Sequence, residues 1–260
     1  MSLFLEYVKI KIKDFFSYRF TLFLFLLIDI IYIISLSVPF LIIYSATEGF
    51  PNWNIYELFF FTTTGIITST LIFTFAIVIG LDITDKIKDG SFDLLLLKPV
   101  NIYYHMLIQS LDLRNFFPDF PLFLIILIIL YPLVGILFSW INLFYFILII
   151  FISCLIFIGF SGIFISFSFF VPHFDSFWDL FFSFREISRK PIDIYKNKFI
   201  VLFLTFVFPF ALWNYYPASI LMGKIDTSIV PSLVLMAIIF LAIGFFSLKY
   251  GLKHYKSANG

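Results

Sequence analysis

The sequence predicts an all-α integral membrane protein in which six membrane-spanning helices follow an interfacial amphipathic helix. Hydrophobic residues make up 62% of the 260 residues and charged residues only 13%. This composition leaves too little polar surface for a water-soluble globule, in which about half of the residues are apolar. The long apolar segments reach the ~20 residues that a helix needs to cross a bilayer core of ~30 Å. They do not alternate as the strands of a membrane β-barrel would.

Residues 1–17 predict a helix that lies on the membrane surface. One helical face would carry apolar residues and the other Glu6, Lys9 and Lys13, as in interfacial amphipathic helices. Alternation over residues 8–13 also fits a strand, but an isolated strand beside a bilayer would leave its backbone unpaired. The charges continue to Arg19 without a small-residue cleavage site, so we expect no cleaved signal peptide.

Six apolar spans then form one predicted membrane domain over residues 18–260. These spans are Tyr18–Tyr44, Tyr56–Gly80, Phe117–Phe138, Leu143–Phe170, Phe199–Tyr215 and Ile229–Leu248. Prolines inside them, such as Pro39, Pro132 and Pro209, are tolerated where neighbouring helices satisfy the freed carbonyl groups. The sequence indicates no additional soluble domain.

The basic residues predict how these spans are oriented. Of the 17 Lys and Arg residues, all but Lys224 lie before or at the start of the first span, follow the last span, or fall in the segments 81–116 and 171–198. Because basic segments stay on the cytoplasmic side, both termini and these two loops are predicted to be cytoplasmic. The outer connections, around 48–54, 139–142 and 216–228, are short.

The sequence shows no catalytic or nucleotide-binding motif. The three histidines, His105, His173 and His254, are too widely spaced to indicate a shared metal site or a catalytic triad. Gly223 and Lys224 lack the earlier glycine of a phosphate-binding loop. We therefore expect a chain that is not an enzyme and binds neither ATP nor another cofactor.

The first inner loop predicts a short helix with an apolar strip. Gly90 can end one helix by adopting positive φ, Ser91 would cap the next, and Pro99 would stop it. The segment between them contains Asp93 and the run Leu94–Leu97. Such a helix either rests on lipid or docks into a groove on a cytoplasmic partner, and composition leaves both interpretations open.

The segment from Gly90 to Pro99 resembles the signature G-x-hydrophobic-D-x-x-L-x-[KR]-P of permeases of type-2 ABC exporters. It resembles in particular their six-helix subgroup of about 260 residues. Further motifs of that subgroup follow in the correct order: G-x-x-x-W at 49–53, P-x-x-I-Y at 191–195, hydrophobic-P at 208–209, Y-P at 216–217 and G-L-x-x-Y-x-S-A-G at 251–260. The chain departs from the pattern by spelling Pro-Ile-Asp-Ile-Tyr at 191–195 and by placing Asn259 before the last glycine. The resemblance covers nearly the whole chain.

This resemblance implies an ATP-driven exporter of the bacterial cytoplasmic membrane that works by alternating access. The chain would pair with a second permease chain, non-identical or identical, and with two ATPase subunits that bind ATP and Mg. A coupling helix would be formed by Gly90, Asp93, Leu94, Leu97, Lys98 and Pro99. The loop at 175–198 would give a second contact, although its aromatic residues equally fit membrane anchoring. The alternative is a secondary transporter or channel without an ATPase, against which the lack of an evident inverted repeat argues.

Polar residues inside the spans permit two interpretations. Asp29 lies within the first span, where an ionised carboxylate costs at least ~2.5 kcal/mol. It is either a pathway or gating contact, or a hydrogen-bond partner for another helix. In the second span, the threonines and the Gly65–Ser69 pair fit either helix packing or a polar translocation surface. Gly159 and Gly162 fit packing in the fourth span.

Overall fold

The computed structural model describes residues 9, 13, 19–46, 52–99, 101–110, 113, 116–171, 174–195 and 197–255. The predicted interfacial helix over 1–17 falls outside this part of the chain except for two single positions. Within the described residues the secondary structure is helical and no strand is present, as the sequence predicts. The chain is therefore an all-α protein.

Eleven α-helices occur in the described part of the chain, and they are numbered here in order. They are α1 (Arg19–Ala46), α2 (Ile55–Ile72), α3 (Val78–Lys88), α4 (Phe92–Leu96), α5 (Ile102–Gln109), α6 (Phe116–Leu133), α7 (Trp140–Ser168), α8 (Asp175–Arg185), α9 (Lys198–Leu202), α10 (Tyr215–Leu221) and α11 (Val230–His254). A π-helical turn at Phe73–Ile77 joins α2 to α3, and a second at Phe203–Val207 extends α9.

Five helical segments in the described residues are long and apolar enough to cross a membrane. These segments are Phe23–Ile42, Ile55–Lys88, Phe116–Leu133, Trp140–Ser168 and Thr227–His254. They correspond to the first, second, third, fourth and sixth predicted spans. The chain is thus a multi-pass membrane protein, and the second span is longer than the sequence indicates because helical structure continues to Lys88.

The fifth predicted span, Phe199–Tyr215, is not one continuous helix. The apolar helix Lys198–Val207 ends before Phe208, whose backbone is extended (φ −113°, ψ 94°). Pro209 explains this end, since its ring excludes the helical conformation at the preceding residue and it lacks a backbone N–H. A short 3₁₀ segment at Phe210–Leu212 and then α10 follow.

The helices form two compact units, each built from three separate stretches of the chain. Unit 1 contains residues 1–71, 113–150 and 187–228, and unit 2 contains residues 72–112, 151–186 and 229–260. The sequence indicated a single domain over 18–260 and gave no sign of this division. In both units, long apolar helices from distant parts of the sequence are brought together.

The core of unit 1 combines buried side chains from α1, α2, α6, α7 and α10. Phe60, Phe61 and Phe123 are among its fully buried members. The Gly65–Ser69 face of α2 packs against the segment before α10: a Cβ atom on Gly65 would lie 2.5 Å from Asn214 Oδ1, and Trp213 Nε1 donates to Ser69 Oγ at 2.6 Å. These contacts support the packing interpretation of the small residues in the second span.

Glycine contacts define the packing of unit 2. A Cβ atom on Gly159 of α7 would collide with the backbone of Phe240 in α11, and one on Gly244 would collide with Gly159. A Cβ atom on Gly162 would lie only 3.1 Å from the Gly244 carbonyl oxygen. Because these residues lack side chains, α7 and α11 touch backbone to backbone. The packing role predicted for Gly159 and Gly162 is confirmed.

Candidate functional site

The short helix α4 forms where the first inner loop leaves the long second span. Gly90 adopts φ 77°, as predicted, and so reverses the chain after α3. Ser91 does not cap α4 with its side chain. Its hydroxyl instead donates to Asp89 Oδ1 at 2.6 Å, and its backbone N–H donates to the same oxygen at 2.9 Å. These two hydrogen bonds lower the pKa of Asp89.

One face of α4 is buried in unit 2 and the other is exposed. Phe92 and Leu95 belong to a buried cluster with residues of α3, α5, α7 and α11. On the opposite face, Leu94 is 63% exposed and Leu97, just after the helix, is 79% exposed. These two leucines therefore form a small apolar surface that no other part of the described chain covers.

Aromatic residues anchor the buried face of α4 to the end of α11. The Phe92 ring lies 5.2 Å from the ring of Tyr255 and 5.5 Å from that of Phe169. Burial and the nearby Asp93 carboxyl group raise the pKa of Tyr255 to about 12. A Cβ atom on Gly251 would lie 2.5 Å from the Phe169 ring. Residues of the Gly90–Pro99 signature and of the C-terminal signature thus form a single cluster.

A polar contact fixes the helices on either side of α4. Asp82 of α3 is paired with Lys86 one turn later and also accepts a hydrogen bond from Ser110 Oγ at 2.6 Å. Ser110 directly follows α5, so this carboxylate joins the two helices that flank α4. The position of α4 is therefore set from both of its ends.

Helix α8, from the predicted second docking loop, packs against its own unit through an aromatic face. Trp178 and Phe181 are each only 2% exposed, and Trp178 Nε1 donates to Thr84 Oγ1 of α3 at 3.3 Å. The Trp178 ring also covers Gly80. Phe177 and Phe184, by contrast, are exposed. The buried half of the aromatic stretch is thus part of the core of unit 2.

In unit 1, Asp29 has a partner that the sequence interpretation missed. Its carboxyl group lies close to that of Asp119 of α6, so the two groups interact. Thr70 of α2 donates to Asp119 Oδ2 at 3.4 Å. Ionised carboxylates only accept hydrogen bonds, so a direct bond between the two groups would need a proton on one of them. Asp119 stands four residues into an apolar helix, which is the signal that could have identified it.

Three segments that carry motifs meet at one end of unit 1. Trp53 Nε1 donates to Asp193 Oδ2 at 3.0 Å, and its ring centroid lies 6.4 Å from that of Tyr215. Lys224 Nζ lies 4.1 Å from the Trp53 ring centroid and 2.8 Å from Glu57 Oε2. Segments carrying the G-x-x-x-W, P-x-x-I-Y and Y-P motifs are therefore neighbours.

This cluster differs from the prediction that the whole of 171–198 is an inner loop. The bond from Trp53 places Asp193 beside the turn that is predicted to be outer. Nearby, Arg189 donates to the Tyr32 hydroxyl at 3.3 Å and lies over its ring, inside the first span. A paired arginine does not need to lie in the cytosol, and counting basic residues cannot distinguish it from an unpaired one.

The comparison with known families agrees with this arrangement of motifs on a multi-pass helical protein. A family model described as ABC-2 family transporter protein matches residues 22–259. The chain belongs to the ABC-2 transporter family. Neither a curated protein nor a solved structure matches it.

As an ABC-2 permease, the chain is a membrane transport component. Among the described residues, no group of three or more His, Cys, Asp or Glu side chains is arranged to hold a metal ion. The predicted coupling residues Gly90, Asp93, Leu94, Leu97, Lys98 and Pro99 all lie on or beside α4. Asp29 lies elsewhere, in unit 1. The residues predicted to form the coupling helix therefore lie together, and Asp29 is not among them.

Proposed function

We propose that the chain is the permease subunit of an ATP-driven ABC exporter of the bacterial cytoplasmic membrane. It would act with two ATPase subunits, which bind ATP and Mg, and with a second permease chain. Substrate would cross by alternating access, with both termini of this chain in the cytoplasm. The observation that carries this proposal is the two-faced arrangement of α4: its exposed leucines lie on a helix whose other face is packed into unit 2.

The two faces of α4 suit a helix that transmits force to or from a partner. A contact of this kind needs an apolar surface for docking and a rigid connection to the membrane helices. Leu94 and Leu97 supply the surface. Phe92, packed against Phe169 and Tyr255, supplies the connection. A helix that only rested on lipid would need the surface but not this connection.

The charged residues around α4 also suit a protein partner. Lys98 follows the helix and Asp89 precedes it, and both are exposed. A polar rim around an apolar centre is the usual anatomy of a protein interface. The docking surface would thus have Leu94 and Leu97 at its centre.

The test is the double variant Leu94→Ser, Leu97→Ser in the chain expressed together with its ATPase. Because both side chains are exposed, their loss should leave the fold of the chain intact. We expect it to lower ATPase co-purification at least tenfold, since truncating two central anchors costs about 2 kcal/mol or more. Pull-down through a tag on the permease measures the retained ATPase.

The matched control is Leu137→Ser, which removes a leucine that is 91% exposed in the connection between α6 and α7. It should leave the retained ATPase unchanged. Equal co-purification and equal ATP-dependent transport in the Leu94/Leu97 variant would contradict the proposed role of α4. Failure of the wild-type chain to retain any ATPase would contradict ATP-driven transport and favour the stand-alone transporter.

A further inference from the structure

Unit 2 contains an apolar cavity that the proposed transport function does not use. Its volume is about 190 Å³, and residues of the π-helical turn, α3, α5, α7 and α11 line it. The lining includes Ala76, Ile79, Met106, Ile165 and Leu248. An apolar cavity of ~150 Å³ in a protein core is large enough to bind benzene. This cavity therefore has room for a segment of hydrocarbon chain.

The cavity offers little to hold water. Ser161 is one of its few polar lining residues, and its hydroxyl already donates to the Ala76 carbonyl oxygen at 2.9 Å. A buried water molecule needs two to four polar partners. The ring of Tyr103, another lining residue, packs 5.3 Å from that of Phe245. An apolar occupant suits this lining better than solvent does.

The cavity reaches the surface of the unit at Leu107 and Phe245. Both residues line it, yet they are 40% and 49% exposed. Phe245 belongs to α11, whose apolar length marks it as a membrane span. The side of the mouth that this span forms would face lipid, whose acyl chains are the apolar molecules available to enter.

Two lysines continue from the mouth toward the end of the span. Lys249 and Lys253 follow Phe245 at intervals of four residues, so all three lie on one face of α11. Both lysines are exposed. Lys249 lies about 6 Å along the helix from Phe245, and Lys253 about 12 Å.

The charged residues of the two helices at the mouth are basic, although Asp82 and Asp93 lie just beyond the ends of these helices. Neither α11 nor α5 contains an acidic residue, while α11 has Lys253 and His254 in its last turn. Basic side chains at the end of a span attract anionic head groups. The mouth is thus apolar, and two lysines, Lys249 and Lys253, lie about one and two helical turns from it.

We propose that this cavity binds one acyl chain of an anionic phospholipid whose head group contacts Lys249 and Lys253. The bound chain would fill the space between α5, α7 and α11, next to the backbone contact of Gly159 with Gly244. The lipid would be a resident ligand of unit 2. The proposal is independent of whether the chain works with an ATPase.

The test uses the full chain in nanodiscs made from equal parts of phosphatidylglycerol and phosphatidylcholine with identical acyl chains. Native mass spectrometry after release from the disc counts the retained lipids. We expect the wild type to retain phosphatidylglycerol in preference by about 25-fold, because a lysine near the membrane surface contributes about fivefold. Lys249→Gln with Lys253→Gln should bring the ratio close to one, whereas Lys190→Gln, a change of another exposed lysine, should not.

A second variant tests the cavity itself. Leu107→Trp should obstruct the mouth and lower retention of both lipids at least fivefold, and Leu107→Phe provides a milder obstruction if the Trp variant does not fold. Leu235→Trp, at an exposed position of α11 outside the cavity lining, should leave retention unchanged.

Three results would overturn the proposal. Equal retention of the two lipids by the wild type would show an apolar site without a head-group preference. A preference that survives the double lysine change would place the head group elsewhere. Unchanged retention in the folded Leu107 variants would place the bound lipid outside the cavity.

Discussion

Asp29 and Asp119 lie in different spans, yet their carboxyl groups lie close together. The sequence left Asp29 open between a pathway contact and a structural partner. Thr70 also donates to Asp119 within unit 1, although Asp29 Oδ2 has no hydrogen-bond partner in the described structure. This arrangement favours the structural role, because the pair joins α1, α2 and α6.

Substitution of Asp29 distinguishes the two roles. Asp29→Asn keeps a group that can both donate to and accept from Asp119, so we expect unchanged assembly and transport. Asp29→Leu leaves Asp119 without its partner and should destabilise the chain by about 1–3 kcal/mol. The thermal midpoint of the purified protein in detergent measures this loss, and Asp29→Leu with Asp119→Leu should recover part of it.

The control for this series is Asp179→Leu, which removes an exposed carboxylate of α8 outside the spans. It should leave the thermal midpoint unchanged. If Asp29→Asn abolishes transport while stability and assembly stay at wild-type levels, the residue belongs to the transport pathway and the structural role is refuted.

At the scale of elements, composition and helical length predicted five of the six spans because each is a long uninterrupted apolar segment. The fifth predicted span is not one continuous helix, because Pro209 prevents a helical backbone at Phe208. The mean hydropathy of the segment does not reveal this local effect. Ser91 was predicted to cap α4, but its hydroxyl donates a hydrogen bond to Asp89 instead of accepting one from the helix. Gly90 was predicted correctly because a positive φ is a local property of the residue.

The candidate site was predictable only within α4. Its exposed leucines were evident from the sequence, since they form a short apolar run among charged residues. The anchoring contact of Phe92 with Tyr255 spans more than half of the chain and needs the fold to appear. Asp119 was missed although it is a carboxyl residue in an apolar helix, because its contact with Asp29 also needs the fold to appear.

The glycine contact between α7 and α11 gives a prediction at this scale. Gly159→Ala and Gly244→Ala each place a methyl group inside the backbone of the facing helix. Each should destabilise the chain by about 1–3 kcal/mol, as expected for overpacking. Thermal unfolding in detergent measures the change. Ile243→Phe adds more volume at an exposed neighbouring position of α11 and should have little effect. Equal losses in all three variants would refute backbone contact as the cause.

At the scale of the whole molecule, the contact between Trp53 and Asp193 bears on topology. The positive-inside rule assigns Asp193 to the cytoplasm and Trp53 to the opposite side. Their 3.0 Å hydrogen bond requires both to lie at the same end of unit 1. Lys224, the basic residue that the rule placed outside, lies in the same cluster.

Cysteine labelling in sealed vesicles of known orientation tests this placement. In a Cys154→Ser background, Asp193→Cys should react with a membrane-impermeant maleimide from the same side as Asp226→Cys. Lys253→Cys, at the far end of the span 227–254, should react from the other side. Labelling of residue 193 together with residue 253 would instead support a wholly inner loop and contradict the contact with Trp53.

The cluster of Phe92 with Tyr255 has a mechanical consequence. Helix α11 has 25 residues and is therefore about 38 Å long. It begins at Val230, beside the predicted outer connection, and Tyr255 stands directly after its last residue. A displacement at the Val230 end would reach α4 along one continuous helix, without passing through a loop. The last span would then transmit a conformational change at one membrane face, as a rigid helix, to the proposed docking surface at the other.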